Sequence, residues 1–361
     1  MKLLFVTPGM AYGGAERVIT ILSNSWSKMG HKVEILIISD KNHCVYNLDS
    51  NVTVINIGGL PKCSFPHLKL VSLMRNEIIR YMPDAVISFM NDTCAFTSFA
   101  LYNLNIPLIY SERNDPNNVN QDLKNKIYRI IVENKTDGIV FQTKAAMNCY
   151  SKKLRKKSIV IPNPIDTSCF PKRDSKCLSK IIVNVGRLVN QKNHELLIKS
   201  FYEIHKKHPD YSLYIFGEGH LRPYLEKLIL NLNLENFVFL KGNSNNIIDE
   251  IKNSRLFILT SNFEGIPNAL LEAMCLGLPC ISTDFSPGSV HEIINNGING
   301  LIVPKNNENS LVLAINRLIS DEKLSLSLGN EASKIKKRLN SHEIALRWLD
   351  FISRVIKEKR L

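Results

Sequence analysis

With 361 residues, 44% of them apolar and 22% charged, the chain has an ordinary globular composition, which excludes a disordered, collagen-like or coiled-coil protein. The length suits two domains. The 46 basic and 33 acidic side chains leave a net charge of +13, shared by both halves, so an anionic partner is expected: nucleotide, lipid headgroup or nucleic acid. No apolar run reaches the ~20 residues that cross a bilayer. The opening MKLLFVTPGM lacks a small-residue cleavage site and breaks at Pro8-Gly9, so it reads as a first strand in a cytoplasmic protein. Cys44, Cys63, Cys94, Cys149, Cys169, Cys177, Cys275 and Cys280 include no C-x-x-C pair and no histidine at zinc spacing; they are expected to be small core residues in a reducing compartment.

In chain order, short apolar runs predict strands at Lys2–Thr7, Val33–Ile38, Val52–Ile57, Asp84–Phe89, Pro107–Tyr110, Gly138–Gln142 and Ser158–Ile161, with helical periodicity between most of them. The pattern then restarts with Lys180–Val185, Ser212–Phe216, Phe237–Leu240, Leu256–Leu259, Pro279–Ser282 and Leu301–Val303, separated by helices such as His194–Lys207 and Leu221–Leu232. Two successive βα series predict an α/β chain of two Rossmann-like parallel-sheet domains facing a cleft. The proline-rich, charged stretch IPNPIDTSCFPKRDSKCLSK places the boundary near Phe170, giving domains 1–170 and 171–340. Ser341 can cap a final helix over 341–361, with Ile344, Trp348, Ile352 and Val355 along one face.

Four segments carry candidate chemistry. TPGMAYGGAERV has the glycine spacing of a Walker A loop at Gly9 and Gly14, but Ala15 and Glu16 stand where Lys and Ser/Thr are required. What remains is a close approach of phosphate or sugar at Gly13 and Gly14, or a tight βα turn. VGRLVNQKNHELLI sets Arg187 and Lys192 just past a strand, where a guanidinium fork and an ammonium suit a diphosphate, although either alone also reads as solvated surface. In FGEGHLRPYLE, Arg222 occupies the third position of a dinucleotide fingerprint, so Gly217 and Gly219 make a plain turn or a close approach to a ligand. LTSNFEGIPNALLEAMCLGLPCISTD puts Glu264 before a helix and Glu272 within it. One carboxylate can meet a sugar and the other a ribose, with the helix N-terminus offering N–H groups to phosphate; a dipole-stabilising Glu and a buried, bonded Glu would share that spacing.

Together these residues resemble the retaining nucleotide-sugar glycosyltransferases of the GT-B fold with the E-x7-E motif, particularly the bacterial branch that builds surface polysaccharides and lipid-linked glycans. The resemblance spans essentially the whole chain, through GGAER at 13–17, GRL with Lys192, FGEG at 216–219, Glu264 with Glu272, PGSVHEII at 287–294 and NGINGLIV at 296–303. It implies acceptor binding in the first domain, nucleotide-sugar binding in the second, and a last helix that crosses back to the first. Arg187 and Lys192 would hold the diphosphate, Glu264 the donor sugar and Glu272 the ribose, with Gly265, Asn268, Ala269, Gly14, Gly217 and Gly219 also on the donor. Gly13, Glu112 and Arg113 would lie on the acceptor side. Many relatives carry a histidine where YSERND has Arg113.

The expected reaction is transfer of a hexose or N-acetylhexosamine, GalNAc or GlcNAc from a UDP-sugar, to a polyprenyl-diphosphate-linked saccharide. No cofactor is implied, and because no D-x-D sequence occurs, no metal is expected either. Between Asp137 and Asp166 there is no acidic residue, while Lys152, Lys153, Arg155, Lys156 and Lys157 fall there, so this cluster is expected to face the anionic inner surface of the cell membrane. Alternatives are a sugar-nucleotide epimerase on the same fold and a nucleic-acid-binding protein; the latter has charge but no matching motif.

Overall fold

Short β-branched runs alternating with amphipathic segments can be satisfied by parallel strands joined through crossover helices. The computed structural model describes residues 1–11, 13–40, 46–118, 123–167, 170, 171, 173 and 179–361. The chain divides into two compact units, Met1–Asp166 with Leu339–Leu361, and Thr167–Arg338.

The first unit contains β1 (Lys2–Thr7), α1 (Gly14–Lys28), β2 (Lys32–Ile37), β3 (Val52–Asn56), α2 (Pro66–Tyr81), β4 (Ala85–Phe89), α3 (Asn91–Ala100), β5 (Leu108–Ser111), α4 (Leu123–Lys135), β6 (Gly138–Phe141), α5 (Lys144–Asn148), α6 (Lys152–Lys156) and β7 (Ser158–Val160). Among the described residues the strands form one seven-stranded sheet in the order β3-β2-β1-β4-β5-β6-β7. Alternation along β1 sends Leu3 and Phe5 to one core, with Trp26 and Ile87, and Leu4 and Val6 to the other, with Met74 and Tyr110. Two-sided burial makes the inner strands near-continuous apolar runs, while the edge strands β3 and β7 are less buried; sequence placed all seven within a residue or two.

The second unit contains β8 (Ile181–Val185), α7 (His194–His205), β9 (Ser212–Phe216), α8 (Arg222–Asn231), β10 (Val238–Gly242), α9 (Ile247–Ile251), β11 (Leu256–Leu259), α10 (Asn268–Leu276), β12 (Cys280–Thr283), β13 (Leu301–Val303), α11 (Glu308–Ser320), α12 (Glu322–Ser333) and α13 (Ile335–Arg338). Its described strands run β10-β9-β8-β11-β12-β13, all parallel. In each sheet the order reverses once, between β1 and β4 and between β8 and β11. Such switch points leave a crevice at the strands' carboxyl ends, where ligands bind in open α/β sheets.

Helix α14 (Ser341–Arg360) belongs to the first unit. Ile344, Trp348, Ile352 and Val355 are buried in the core beneath α1, and the Trp26 indole N–H donates to the Ala345 carbonyl at 3.1 Å. The cap differs from expectation: Asn340, not Ser341, is the N-cap, its side chain accepting from the His342 and Glu343 amides. Asparagine one residue earlier competes successfully because its carbonyl reaches two of the orphan N–H groups. The cysteine expectation also needs correction. Cys94, Cys275 and Cys280 are buried, but Cys149 is only partly so and Cys63 is exposed. Cys63 precedes α2 on a turn that contributes nothing to either core. Cys44, Cys169 and Cys177 lie outside the described residues.

Candidate functional site

The two strands flanking the second unit's switch point end in polar loops that meet. After β8, the chain passes Gly186 and Arg187 into a single 3-10 turn, Asn190–Lys192. After β11 it passes Thr260 and Ser261 to Glu264. The Lys192 ammonium contacts Glu264 Oε1 at 2.5 Å, both side chains being largely buried (13% and 8% exposed). Ser261 Oγ donates to the same oxygen at 2.7 Å, and Gln191 Nε2 donates to Oε2 at 3.3 Å and to the Phe263 carbonyl at 2.9 Å. Thr260 Oγ1 donates to the Lys192 carbonyl at 2.9 Å. Sequence separated these residues by role, the lysine on diphosphate and the glutamate on sugar; the structure joins them as an ion pair. One ammonium hydrogen is committed to Glu264, which fixes the direction of the others. Arg187 is exposed, with its guanidinium 3.5 Å from Gln191 Oε1.

Gly217 and Gly219 have a reason that spacing left open. Gly217 sits at φ +131°, and a Cβ there would lie 2.2 Å from the Gly186 carbonyl oxygen; one at Gly219 would lie 2.3 Å from that of Leu188. Backbone bonds from Gly186 N to Phe216 O and from Leu188 N to Glu218 O, both 2.9 Å, zip the two loops together. The close approach is therefore by the Arg187 loop, which these glycines position. Arg222, at the failed fingerprint position, forms ion pairs with Glu218 and Glu226.

Helix α10 starts after Pro267 and stops at Gly277, whose φ of 76° ends the helix in the left-handed region. Glu264 precedes the helix and Glu272, buried, lies inside it. The turn between them, through Gly265 to Asn268 and Ala269, is clamped by the SPGSVHE segment at 286–292: Ser289 Oγ donates to Gly265 O at 2.7 Å, and Glu264 N donates to Ser286 O at 3.0 Å. His194, at the start of α7, is a residue that sequence reasoning passed over. Its Nε2 lies 3.0 Å from Asn184 Oδ1, while Asn184 Nδ2 donates to Ile258 O at 2.7 Å, linking β8, β11 and α7. Burial, assisted by the Lys192 charge, lowers the imidazole pKa to about 3.

In the first unit, Gly13 is the N-cap of α1 and Gly14 its first residue; a Cβ at Gly13 would fall on the Glu16 carboxylate, and the Tyr46 hydroxyl lies 3.3 Å from Gly13 N. Glu112 follows β5 and is buried. Its Oε2 accepts from the Tyr150 hydroxyl at 2.6 Å and its Oε1 from the backbone amides of Arg113 and Asn114, at 2.9 and 3.1 Å. The Arg113 guanidinium turns away from that carboxylate. One nitrogen donates to Asn163 Oδ1 at 2.7 Å, and the group lies over the Phe89 ring at 4.2 Å and the Trp348 ring at 5.8 Å. Its Nε and other terminal nitrogen are buried with no hydrogen-bond partner among the described residues, and burial lowers its pKa to about 9. Asn163 and Trp348 are far from Arg113 in sequence, and no local signal could have found them.

The cations of the cluster expected to face the membrane divide into two sets. Lys152, Lys153 and Lys156 are exposed on α6. Arg155 Nε instead donates to the Tyr150 carbonyl at 2.9 Å, and Lys157 Nζ donates to the Glu133 and Thr136 carbonyls at 3.0 and 2.5 Å, capping the end of α4. These two cations serve orphan carbonyls at the ends of local elements.

With this geometry established, comparison with known proteins finds two families side by side: Glycosyltransferase Family 4 matches residues 12–168 and Glycosyl transferases group 1 matches residues 170–335. The chain is 29% identical, over 97% of its length and 99% of the relative's, to the N-acetylgalactosamine-N,N'-diacetylbacillosaminyl-diphospho-undecaprenol 4-alpha-N-acetylgalactosaminyltransferase of Campylobacter jejuni. Among solved structures it resembles sucrose-phosphate synthase from Thermosynechococcus elongatus (TM-score 0.86, 16% identity, 99% of each chain covered). It also resembles HepE of Anabaena in complex with UDP (TM-score 0.81, 19% identity, 98% and 100% covered).

Proposed function

This chain belongs to the glycosyltransferases of the GT-B fold, and we propose that it moves GalNAc or GlcNAc from a UDP-sugar to a saccharide carried on polyprenyl diphosphate, with retention and without a metal ion, at the inner face of the cell membrane. The observation that carries this reading is the Lys192–Glu264 pair beside Arg187 at the second sheet's switch point: two cations and a carboxylate whose directions are set by Ser261, Gln191 and Thr260. The Campylobacter relative acts, by its name, on a diphospho-undecaprenol-linked saccharide. HepE was solved with UDP.

In this reading Arg187 and Lys192 receive the donor's diphosphate, and charge growing on the departing phosphate oxygen is met by groups already oriented. Glu264, held by Lys192 and Ser261, presents its second oxygen to donor-sugar hydroxyls, while Glu272 takes the ribose. The bond from the anomeric carbon to the diphosphate breaks and a bond to the acceptor oxygen forms on the same face. The acceptor's proton passes to the departing phosphate, so no side-chain base is required. Arg113, Glu112 and Gly13 belong to the acceptor side.

The test is incubation of the full chain with UDP-GalNAc or UDP-GlcNAc and a polyprenyl-diphosphate-linked saccharide in excess chelator. Transfer with the donor's anomeric configuration kept is expected. Activity lost in chelator and restored by magnesium would refute the metal-independent step, a glycosyl adduct on Glu264 would indicate double displacement, and interconversion of the donor without transfer would make the protein an epimerase.

A further inference from the structure

Helix α4 is built unlike the other described crossover helices of ten or more residues, each of which buries at least two residues. Among its described residues only Val132 is buried, Tyr128 and Ile131 are half-buried, and three large apolar side chains point outward: Leu123, Ile127 and Ile130 are 75%, 47% and 59% exposed. Their spacing of four and three residues places all three on one helical stripe. Phe65 and Leu68, at the start of α2, are 70% and 69% exposed. The two helices are linked across α3, where the Phe96 ring stacks on His67 of α2 at 5.4 Å and meets Tyr128 of α4 edge-on at 5.7 Å. The stripe and the α2 residues therefore belong to one surface, on the α2–α3–α4 side of the first sheet. A soluble surface rarely exposes so many large apolar side chains together without a partner.

Charge identifies the partner. Lys124 and Lys126 flank the stripe on α4 and Lys69 follows Leu68 on α2, all exposed. The one acidic residue of α4, Glu133, is paired with Arg129 at 3.0 Å. An apolar stripe bordered by exposed lysines is the pattern of a helix lying in a bilayer interface, with its apolar face among the acyl chains and its ammonium groups at anionic headgroups. A second copy of this chain is the poorer occupant, because it would set the same lysines against one another on a chain of net charge +13. We propose that the α4 stripe, with Phe65 and Leu68, docks the first unit onto an anionic lipid bilayer. This inference rests on the proposed lipid-linked acceptor and specifies the surface that reaches it, in place of the α6 cluster expected from sequence.

The test is co-sedimentation of the full chain with phosphatidylcholine vesicles, with and without phosphatidylglycerol. Binding to the anionic vesicles and not the neutral ones is expected. The triple variant Leu123→Ser, Ile127→Ser, Ile130→Ser should weaken the partition at least about tenfold, and the separate pair Phe65→Ser, Leu68→Ser should weaken it independently should the triple variant fold poorly. Charge reversal at Lys152, Lys153 and Lys156 should change it less than the triple variant does. Transfer to a water-soluble, short-chain acceptor should be unchanged in the stripe variants. Equal vesicle binding by wild type and both apolar variants would overturn the proposal, as would a wild-type dimer that the triple variant dissociates. Vesicle binding with no transfer to any acceptor would instead refute the proposed reaction and leave the docking surface standing.

Discussion

Lys192 has two partners in this account, Glu264 in the folded protein and diphosphate in the reaction. Removing it leaves a nearly buried carboxylate with, among the described residues, Ser261 and Gln191 as side-chain donors. Lys192→Met should therefore cost about 1–3 kcal/mol of stability and, separately, about 10²–10³-fold in kcat. Glu264→Gln keeps an acceptor for Ser261 and loses the charge, and the double variant should cost less than the sum of the singles in both denaturation and kinetics. Additive losses would show that the pair does not act as a unit. His194 supplies a pH prediction. Above pH 6.5 its imidazole is neutral folded or unfolded; between 6.5 and about 3 the unfolded chain takes up a proton that the folded chain refuses, so stability falls as pH falls through that window. His194→Gln should flatten that part of the stability–pH curve, and an unchanged slope would assign it to other groups. At this scale the placement of Lys192, Glu264 and Glu272 was legible, because each stands at a fixed offset from a strand end or helix start. Gln191, Ser261, Asn184 and the Phe89–Arg113–Trp348 stack were not, because they depend on contacts between segments distant in sequence.

The elements were more legible than the contacts. A strand buried on both faces is a continuous apolar run bounded by turn residues, and β1, β9, β11 and β13 occupy the intervals that their runs marked. Termini were harder, because a cap is decided by which side chain reaches the orphan amides, as Asn340 does in place of Ser341. The glycine loops carry the prediction for this scale. Gly217→Ala meets both a φ of +131° and a carbonyl oxygen 2.2 Å from its new Cβ, whereas Gly30→Ala meets a φ of +82° with nothing within 4 Å. Gly30→Ala should cost about 1 kcal/mol, and Gly217→Ala at least about 2 kcal/mol, with activity falling because the Arg187 loop is displaced. Similar thermal midpoints for the two variants would contradict the packing role given to Gly217.

For the molecule as a whole, two βα series predicted two parallel sheets, and two sheets are found, each with one reversal of strand order. Sequence alone could not order the strands, since pairing is a long-range choice among runs of similar composition. It did signal that α14 is more than a tail, through the apolar face that now lies under α1. Net charge pointed to anions without locating them; the lysines divide between the proposed donor site, helix ends such as that capped by Lys157, and exposed surface. The central claim is that the switch point of the second sheet holds a nucleoside diphosphate without a metal ion. Calorimetric titration of UDP into the full chain in excess chelator tests it most directly: saturable binding is predicted for wild type, weakened about 10–100-fold by Arg187→Ala and by Glu272→Gln, and either no wild-type binding without metal or undiminished binding by both variants would contradict it.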